Sequence, residues 1–211
     1  MNSQWTIVEA GFVAGAAALD QLPPPALAEV AFAGRSNVGK SSLLSALLGR
    51  KSLVRIGSTP GTTRQLNLFQ ARAADGLELL LVDLPGYGFA KRAKHEKSRW
   101  GPLIEGYLSS RVTLRALVLL VDARRGVEPE ERELVDYLRT AGAKTARGPV
   151  SIIVVATKID KLAGAKRKPA IERIGRDLGF RAYGFASPSG EGREELWRVL
   201  RQAVLACTTD T

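Results

Sequence analysis

The amino-acid sequence predicts an α/β fold in three layers, with helices on both faces of a mostly parallel sheet. Short apolar runs of strand length, such as "LRALVLLV" and "VSIIVVA", alternate along the chain with stretches of helical periodicity. Strands that are apolar on both faces are typical of a parallel sheet covered by helices. The polar motifs follow these strands, where ligands bind in sheets of this kind. We predict six strands, one of them antiparallel to the rest.

The predicted elements follow one another in a regular order. The first strand covers 29–33 and leads into a helix over 40–50. Two neighbouring strands come next, joined by the turn residues Asp75 and Gly76. The remaining elements, in chain order, are a helix interrupted near Pro102, a strand over 114–123, a helix over 128–142, a strand over 150–160, a helix over 168–179, a strand over 180–186 and a closing helix over 192–206.

Chain length and one proline run set the predicted domain organisation. A chain of 211 residues is long enough for one compact domain with a core. The segment "LPPPAL", at 22–27, breaks any helix and is typical of a stiff connector. We therefore expect a short N-terminal extension over 1–25 and one main domain over 26–211.

The composition favours a protein of the cytoplasm. The single cysteine, Cys207, excludes a disulfide framework and favours a reducing compartment. No basic residue precedes the first apolar run, which lacks the pattern of a signal peptide. The other apolar runs are too short to span a membrane, so we expect no membrane insertion.

The net charge raises the question of a polyanionic partner. The chain has 31 lysines and arginines against 21 aspartates and glutamates, a formal net charge of +10. Such a balance suits nucleic acid, because lysine and arginine release counterions when they contact phosphates. A generally basic proteome would produce the same excess, and composition alone does not separate these two interpretations.

The stretch "GRSNVGKSS" fits the Gly-x-x-x-x-Gly-Lys-Ser/Thr pattern of a phosphate-binding loop. In that pattern backbone N–H groups surround the phosphates, lysine reaches the outer two, and the hydroxyl coordinates magnesium. The loop lies between a predicted strand and a predicted helix N-terminus, which also favours an anion. The residues that we expect at the nucleotide are Gly34, Arg35, Ser36, Asn37, Val38, Gly39, Lys40, Ser41 and Ser42.

A second motif, Asp83-Leu84-Pro85-Gly86, ends the apolar run "LELLLVD". A carboxylate at the tip of a buried strand needs a cationic partner. We expect Asp83 to hold Mg²⁺ through water, together with Ser41. The backbone N–H of Gly86 would then face the terminal phosphate.

The segment "GSTPGTTRQ", at 57–65, has the composition of a loop that becomes ordered around a metal and a phosphate. Thr62 and Thr63 are both able to ligate magnesium. The residues that we assign to nucleotide binding here are Gly61, Thr62, Thr63, Arg64 and Gln65.

Two further motifs predict a guanine site. In "ATKID", Asp160 can accept hydrogen bonds from both the N1–H and the exocyclic amine of guanine, a contact that adenine cannot make. Lys158 would lie along the base. The remaining residues assigned to the base are Thr157 and Ile159 in this motif, and Phe185, Ala186 and Ser187 in "FASPSG", whose backbone amides would face the guanine O6.

Together the motifs have the order and spacing of a small GTPase-type domain. The stretches "GRSNVGKSSL", "TPGTTRQLNLF", "DLPGYGFAK" and "ATKIDKL" resemble the EngB (YihA/YsxC) group of bacterial ribosome-assembly GTPases, within the TrmE-Era-EngA-EngB-septin-like G domains. The long stretch from "DLPGYGFAK" through "IEGYL" is the most discriminating. The resemblance runs from about Glu29 to the C-terminus.

This resemblance implies a P-loop NTPase fold, dependence on Mg²⁺ and action on the large ribosomal subunit. It selects Thr63 as the second magnesium ligand, because the family's ligand stands two places after Pro-Gly. Thr157 fits the family, which usually has Thr-Lys-x-Asp. One departure is Ala186, which stands where the family usually has serine.

The residue after Gly86 predicts slow hydrolysis. Ras-type GTPases have a glutamine there that orients the attacking water, whereas this chain has Tyr87. Asn37 stands where related GTPases bind a potassium ion, which would stabilise the transition state electrostatically. Alternatively, the ribosomal particle completes the site. On both hypotheses the catalytic residues are Lys40, Thr63 and Gly86. If potassium supplies the stabilisation, Asn37 is in addition a K⁺ ligand.

Two basic tracts are candidates for RNA contact, although each also suits a solvated helix face. The first contains Lys91, Arg92, Lys94, Lys97 and Arg99. The second contains Lys161, Lys166, Arg167, Lys168, Arg173, Arg176 and Arg181.

We predict a monomeric, magnesium-dependent GTPase that binds GTP and GDP, hydrolyses GTP slowly and associates with the 50S subunit or its precursor. The main alternative is a GTP-dependent switch that recruits proteins during cell division and septation, without RNA contact. A P-loop ATPase is a third interpretation, which requires that Asp160 does not select the base.

Overall fold

The computed structural model describes residues 6–50, 53, 65–87, 101–142 and 149–206. The strands are β1 (Ile7–Ala16), β2 (Glu29–Gly34), β3 (Leu66–Ala73), β4 (Glu78–Asp83), β5 (Leu114–Asp122), β6 (Ser151–Thr157) and β7 (Ala182–Phe185). The helices are α1 (Lys40–Leu48), α2 (Pro102–Ser110), α3 (Pro129–Gly142), α4 (Gly164–Leu178) and α5 (Arg193–Ala206).

The strands form one sheet in the order β1-β3-β4-β2-β5-β6-β7. β3 pairs antiparallel with both of its neighbours, and the other pairings are parallel. The α/β class and the single antiparallel strand are therefore confirmed. The predicted number of strands was wrong: within the described residues the sheet has seven, because β1 pairs with β3 along its outer edge.

Two apolar cores cover the two faces of the sheet, as the alternation along β2 requires. Val30 and Phe32 point into the core beneath α1 and α5. Ala31 and Ala33 point into the core beneath α2, α3 and α4. Since successive strand residues face opposite sides, a strand that is buried throughout has helices on both faces. The three predicted layers are present.

A buried polar cluster holds α2 at the end of the sheet where β2 begins. Glu29 is fully buried, and its carboxylate accepts hydrogen bonds from Tyr107 Oη, Arg111 Nε and Thr113 Oγ1, each at 2.7 Å. A carboxylate taken out of water needs such partners, because burying an isolated charge is costly. The polar motifs lie at the opposite end of the same strands.

None of the helices within the described residues is both long enough and apolar enough to cross a membrane.

Candidate nucleotide-binding site

The first motif has the predicted strand–loop–helix geometry. β2 ends at Gly34, and α1 begins at Lys40 after Gly39, whose φ of 111° favours glycine. A Cβ on Gly34 would lie 2.8 Å from Val38 Cγ1 and 3.0 Å from the Leu120 carbonyl oxygen, so a larger residue would displace the loop. Ser41 and Ser42 lie in the first turn of α1, where main-chain N–H groups have no partner within the helix. The loop 34–41 thus has the strand–loop–helix geometry of a phosphate-binding loop. We call it the phosphate loop and refer to the surface that it forms as the cradle.

Asp83 lies opposite this cradle, at the end of β4. Its Oδ1 is 3.9 Å from Lys40 Nζ, and both side chains are nearly buried. Burial raises the pKa of Asp83 to about 6, although the ammonium of Lys40 acts in the opposite direction. Burial likewise lowers the pKa of Lys40, against the attraction of Asp83.

The surroundings of Asp83 fit a divalent cation. Among the described residues, Asp83 Oδ1 has no hydrogen-bond donor, although it is buried. A buried oxygen without a donor is unusual in folded proteins, and a metal-bound water would satisfy it. No group of three His, Cys, Asp or Glu side chains suits a metal within the part of the chain that the structure describes. A magnesium ion here would therefore depend on hydroxyl and phosphate oxygens besides Asp83.

Gly86 lies directly against the phosphate loop. A Cβ there would lie 3.1 Å from Ser36 Cα and 3.3 Å from Lys40 Nζ. The N–H of Ser36 donates to the carbonyl oxygen of Tyr87 at 3.0 Å, and the N–H of the buried Leu84 donates to the carbonyl oxygen of Phe32. Gly86 and Tyr87 therefore lie at backbone contact distance from the loop.

The side chain of Tyr87 points toward α3. It is buried, and its hydroxyl donates to Glu131 Oε1 at 3.4 Å. Burial raises the pKa of Tyr87 well above its usual range, and the nearby carboxylate of Glu131 adds to this effect. Glu131 also accepts the main-chain N–H of Glu128 at 2.9 Å, so it caps α3. Sequence reasoning missed Glu131, although Glu in the first turn of a helix is a recognisable capping signal.

The base motif is bonded to the phosphate loop. Thr157 Oγ1 lies 2.8 Å from the carbonyl oxygen of Val38 and 3.2 Å from that of Val121. Lys158, with φ of 59°, donates from Nζ to the carbonyl oxygen of Asn37. These contacts join the end of β6 to the loop after β2, which is more than one hundred residues away in the sequence.

Asp122 also contacts the base motif and was not predicted. Its Oδ2 accepts a hydrogen bond from Lys158 Nζ at 3.1 Å, and Arg124 donates to both of its oxygens. Burial acts to raise the pKa of Asp122, but the hydrogen bonds from Arg124 and Lys158 outweigh it and hold that pKa well below its usual range. The signal was present in the sequence, since Asp122 ends an apolar strand just as Asp83 does.

Asp160 lies in the short helical turn Ile159–Lys161 that follows β6. Its side chain is 20% exposed, so its carboxylate is accessible, and Ile159 is buried beneath it. β7 brings the last motif to the same edge, because Phe185 pairs in register with Thr157. Ser187 is exposed, whereas the N–H of Ala186 already donates to Glu191.

A cavity of about 300 Å³ lies on the α3 side of the phosphate loop. Its lining includes Ser36, Asn37, Asp122, Arg124, Glu131 and Lys158. Arg35 lines it as well and pairs with Glu128 and Glu130 at the start of α3. The cavity is therefore lined in part by the phosphate loop itself.

Several predicted residues lie outside the described part of the chain. These are Gly61, Thr62, Thr63 and Arg64, the whole first basic tract, and Cys207. Gln65 is described, and its side-chain amide donates to Asn67 Oδ1 at 3.1 Å. Because Asn67 pairs in register with Asp83, Gln65 lies at the same end of the sheet as the other motifs.

The site and fold place this chain among the P-loop GTPases with a G domain. A model of the 50S ribosome-binding GTPase family matches residues 29–158, so the chain belongs to that family. Within it, the chain belongs to the EngB family. A probable GTP-binding protein EngB from Geobacter metallireducens is 44% identical over 195 residues, which are 90% of each chain.

A second relative and a solved structure agree with this assignment. The probable GTP-binding protein EngB of Desulforapulum autotrophicum is 44% identical over 197 residues, covering 92% of this chain and 96% of that protein. The crystal structure of a probable GTP-binding protein EngB has a TM-score of 0.63 and 25% identity, covering 85% of this chain and all of that one. The resemblance to the EngB group is thereby confirmed.

Proposed function

We propose that this GTPase binds GTP and GDP with Mg²⁺, hydrolyses GTP slowly and acts as a nucleotide-dependent switch in assembly of the 50S ribosomal subunit in the cytoplasm. One observation carries the nucleotide part of the proposal. Thr157 and Lys158 both bond to main-chain carbonyls of the phosphate loop, so the base motif and the phosphate cradle form one continuous surface.

The phosphates would lie along the loop 34–41. Lys40 supplies the positive charge next to the outer phosphates, and the N–H of Gly86 faces the terminal one. Ser41 and Asp83, the latter through water, would hold Mg²⁺, with Thr63 as the proposed further ligand. The ion would neutralise charge that develops on the phosphate oxygens. The buried Asp83 oxygen without a donor supports this assignment.

The guanine base would lie over Lys158 and against Asp160. Asp160 accepts two hydrogen bonds from guanine and rejects adenine, because adenine would leave the carboxylate unpaired. Asp122 supports this arrangement, because its carboxylate accepts a hydrogen bond from Lys158 Nζ and so limits the motion of that long side chain. The backbone around Ala186 and Ser187 would complete the base site.

Slow hydrolysis is supported by the contacts of Tyr87. The hydroxyl of Tyr87 donates to Glu131 in the first turn of α3, so we expect that it does not orient a water molecule at the terminal phosphate. The missing stabilisation would come from K⁺ at Asn37, whose side chain is exposed next to the cradle, or from the ribosomal particle. Equal turnover in K⁺ and Na⁺, with Asn37→Ala unchanged, would exclude the first source.

The ribosomal part of the proposal rests on the description of the matching family as 50S ribosome-binding and on the net charge of +10. We expect the protein to act as a monomer on rRNA and ribosomal proteins of the large subunit.

Co-sedimentation with purified 50S particles tests the proposal. Binding should depend on whether GTP or GDP is present and should weaken with added salt. Asp160→Asn should abolish the response to GTP and transfer it to xanthosine triphosphate, whose exocyclic oxygen suits an amide. Binding that ignores the nucleotide, or no binding in any state, would contradict the role in assembly, and protein partners at the division site would then be examined.

A further inference from the structure

The outer surface around α4 is strongly basic. We call it the α4 surface and define it by Lys166, Arg173 and Arg176 of α4, Arg132 and Arg139 of α3, and Arg181, which follows α4. All six side chains are exposed. α4 has 15 residues, so the surface extends over about 22 Å along the helix axis.

Positive charge on this surface exceeds the available carboxylates. Arg132 pairs with Asp177, Arg139 with Asp136, and Arg181 with Glu195. For Lys166, Arg173 and Arg176, no carboxylate lies within ion-pair distance among the described residues. These three side chains therefore retain charge that is available to an anionic partner.

An open groove lies at the C-terminal end of α4. Its volume is about 530 Å³, and Gly175, Arg176, Phe180 and Arg181 are among its lining residues. Near its rim the guanidinium of Arg139 lies 5.0 Å from the centre of the Phe180 ring. The guanidinium of Arg181 lies at the same distance from the ring of Tyr183.

Each of these arginines presents a flat, charged surface to the solvent. The side chains of Arg139 and Arg181 are 54% and 72% exposed although one face of each lies over a ring. An aromatic ring that supports a guanidinium limits its rotation and keeps its plane in place. Unpaired bases of RNA stack on such guanidinium planes and on aromatic rings.

We propose that the α4 surface binds single-stranded or loop segments of ribosomal RNA. Lys166, Arg173 and Arg176 would contact successive phosphates, and an unstacked base would enter the groove between Arg139 and Arg181. This inference rests on the proposed association with the 50S subunit and names the face that makes the contact. An acidic protein segment would pair with the positive charges, but its carboxylates would not stack on the flat guanidinium surfaces. RNA makes both kinds of contact and is therefore the partner that we propose.

The α4 surface also reaches the nucleotide site. Arg173 Nη2 lies 3.1 Å from the position that a Cβ on Gly126 would occupy. Gly126 belongs to the loop after β5, in which Arg124 bonds to Asp122 and Asp122 bonds to Lys158. RNA that contacts Arg173 would therefore contact a side chain that lies against the loop supporting the base motif.

Removal of three charges tests the surface. The variant Lys166→Gln, Arg173→Gln, Arg176→Gln should weaken binding to purified 50S particles about tenfold or more, with a non-hydrolysable GTP analogue present. The slope of log affinity against log salt should decrease by about 2 to 3, one unit or slightly less for each lost phosphate contact. The matched control is Arg50→Gln, Arg72→Gln, Arg115→Gln, which removes the same charge outside the α4 surface. The GTP analogue is present at a concentration that saturates each variant, so that particle binding is compared in the same nucleotide state.

Crosslinking identifies the partner. Benzoylphenylalanine in place of Phe180 should crosslink to 23S rRNA in the bound particle. Crosslinks to ribosomal proteins alone would overturn the assignment of RNA. Equal particle binding by the two triple variants, with the wild type bound, would overturn the α4 surface and leave the proposed function intact. Failure of the wild type to bind particles in any nucleotide state would overturn both.

Discussion

Tyr87 follows the glycine of the second motif, where a glutamine would orient water in Ras-type GTPases. Because its hydroxyl donates to Glu131, we predict that Tyr87→Phe keeps the turnover number within about twofold of the wild type. The measurement is phosphate release at saturating GTP and Mg²⁺. Gly86→Ala is the control that should fail, since its methyl group would lie 3.1 Å from Ser36 Cα. A tenfold loss in Tyr87→Phe would show that the hydroxyl acts in the reaction.

Thr157 joins the base motif to the phosphate loop through one hydroxyl. Thr157→Val keeps the shape but removes the donor to the Val38 carbonyl, and we expect nucleotide affinity to fall about tenfold, or about 1–2 kcal/mol. Titration with a fluorescent GDP measures this change. Thr157→Ser retains the hydroxyl and should bind almost as the wild type does. Equal affinities of the valine and serine variants would contradict the proposed link.

At the scale of single residues, the sequence predicts a functional role most reliably for residues that belong to a known motif. Asp83 and Asp122 both end apolar strands, yet only Asp83 stands in a recognised pattern with Gly86. Asp122 acquires its importance from Lys158, which the fold brings to it from the next strand. The contact of the Tyr87 hydroxyl likewise depends on α3, which supplies Glu131 from a distant part of the sequence. The residues around Tyr87 therefore do not predict this contact.

The position of α2 depends on the Glu29 cluster, which links β2, α2 and the turn between α2 and β5. Glu29→Ala should lower the free energy of unfolding by about 3–5 kcal/mol, because the guanidinium of Arg111 would stay buried without its carboxylate. Urea denaturation at neutral pH measures this loss. Glu29→Leu combined with Arg111→Leu should be less destabilised than Glu29→Ala, since no unpaired charge remains. A double variant that is as unstable as the sum of the single ones would contradict this account.

Most elements were predictable because their patterns are local. The hairpin at Asp75-Gly76 and the five helices follow from turn residues and apolar periodicity. β1 was missed, since its residues alternate poorly and most are partly exposed on both sides. Its partner, β3, lies some fifty residues later, and only the folded sheet shows the pairing. α4 begins earlier than expected, because Pro169 lies inside the helix rather than at its start.

At the scale of the molecule, the sheet order explains why the separate motifs meet. β4, β2, β5 and β6 are neighbours and parallel, so their carboxyl ends carry Asp83, Gly34, Asp122 and Thr157 to one edge. The rule that ligands bind at this edge predicts the location of the site from sequence. The hydrogen bonds between the loops could not be predicted, because they depend on how far each loop extends beyond its strand.

Removal of the strand β1 tests whether the N-terminal residues stabilise the rest of the molecule. Deletion of residues 1–16 would expose the edge of β3 that now pairs with β1, and unpaired edges promote association between chains. We expect the shortened chain to unfold at lower urea concentration and to scatter light increasingly with protein concentration. Phe12→Ala is the control. It loses the contact between the rings of Phe12 and Phe69, whose centres are 5.7 Å apart, but keeps the backbone pairing. It should lose about 1 kcal/mol or less and stay dispersed. A shortened chain with full stability would instead show that residues 1–16 are separable from the rest, in line with the extension over 1–25 that the proline run predicts.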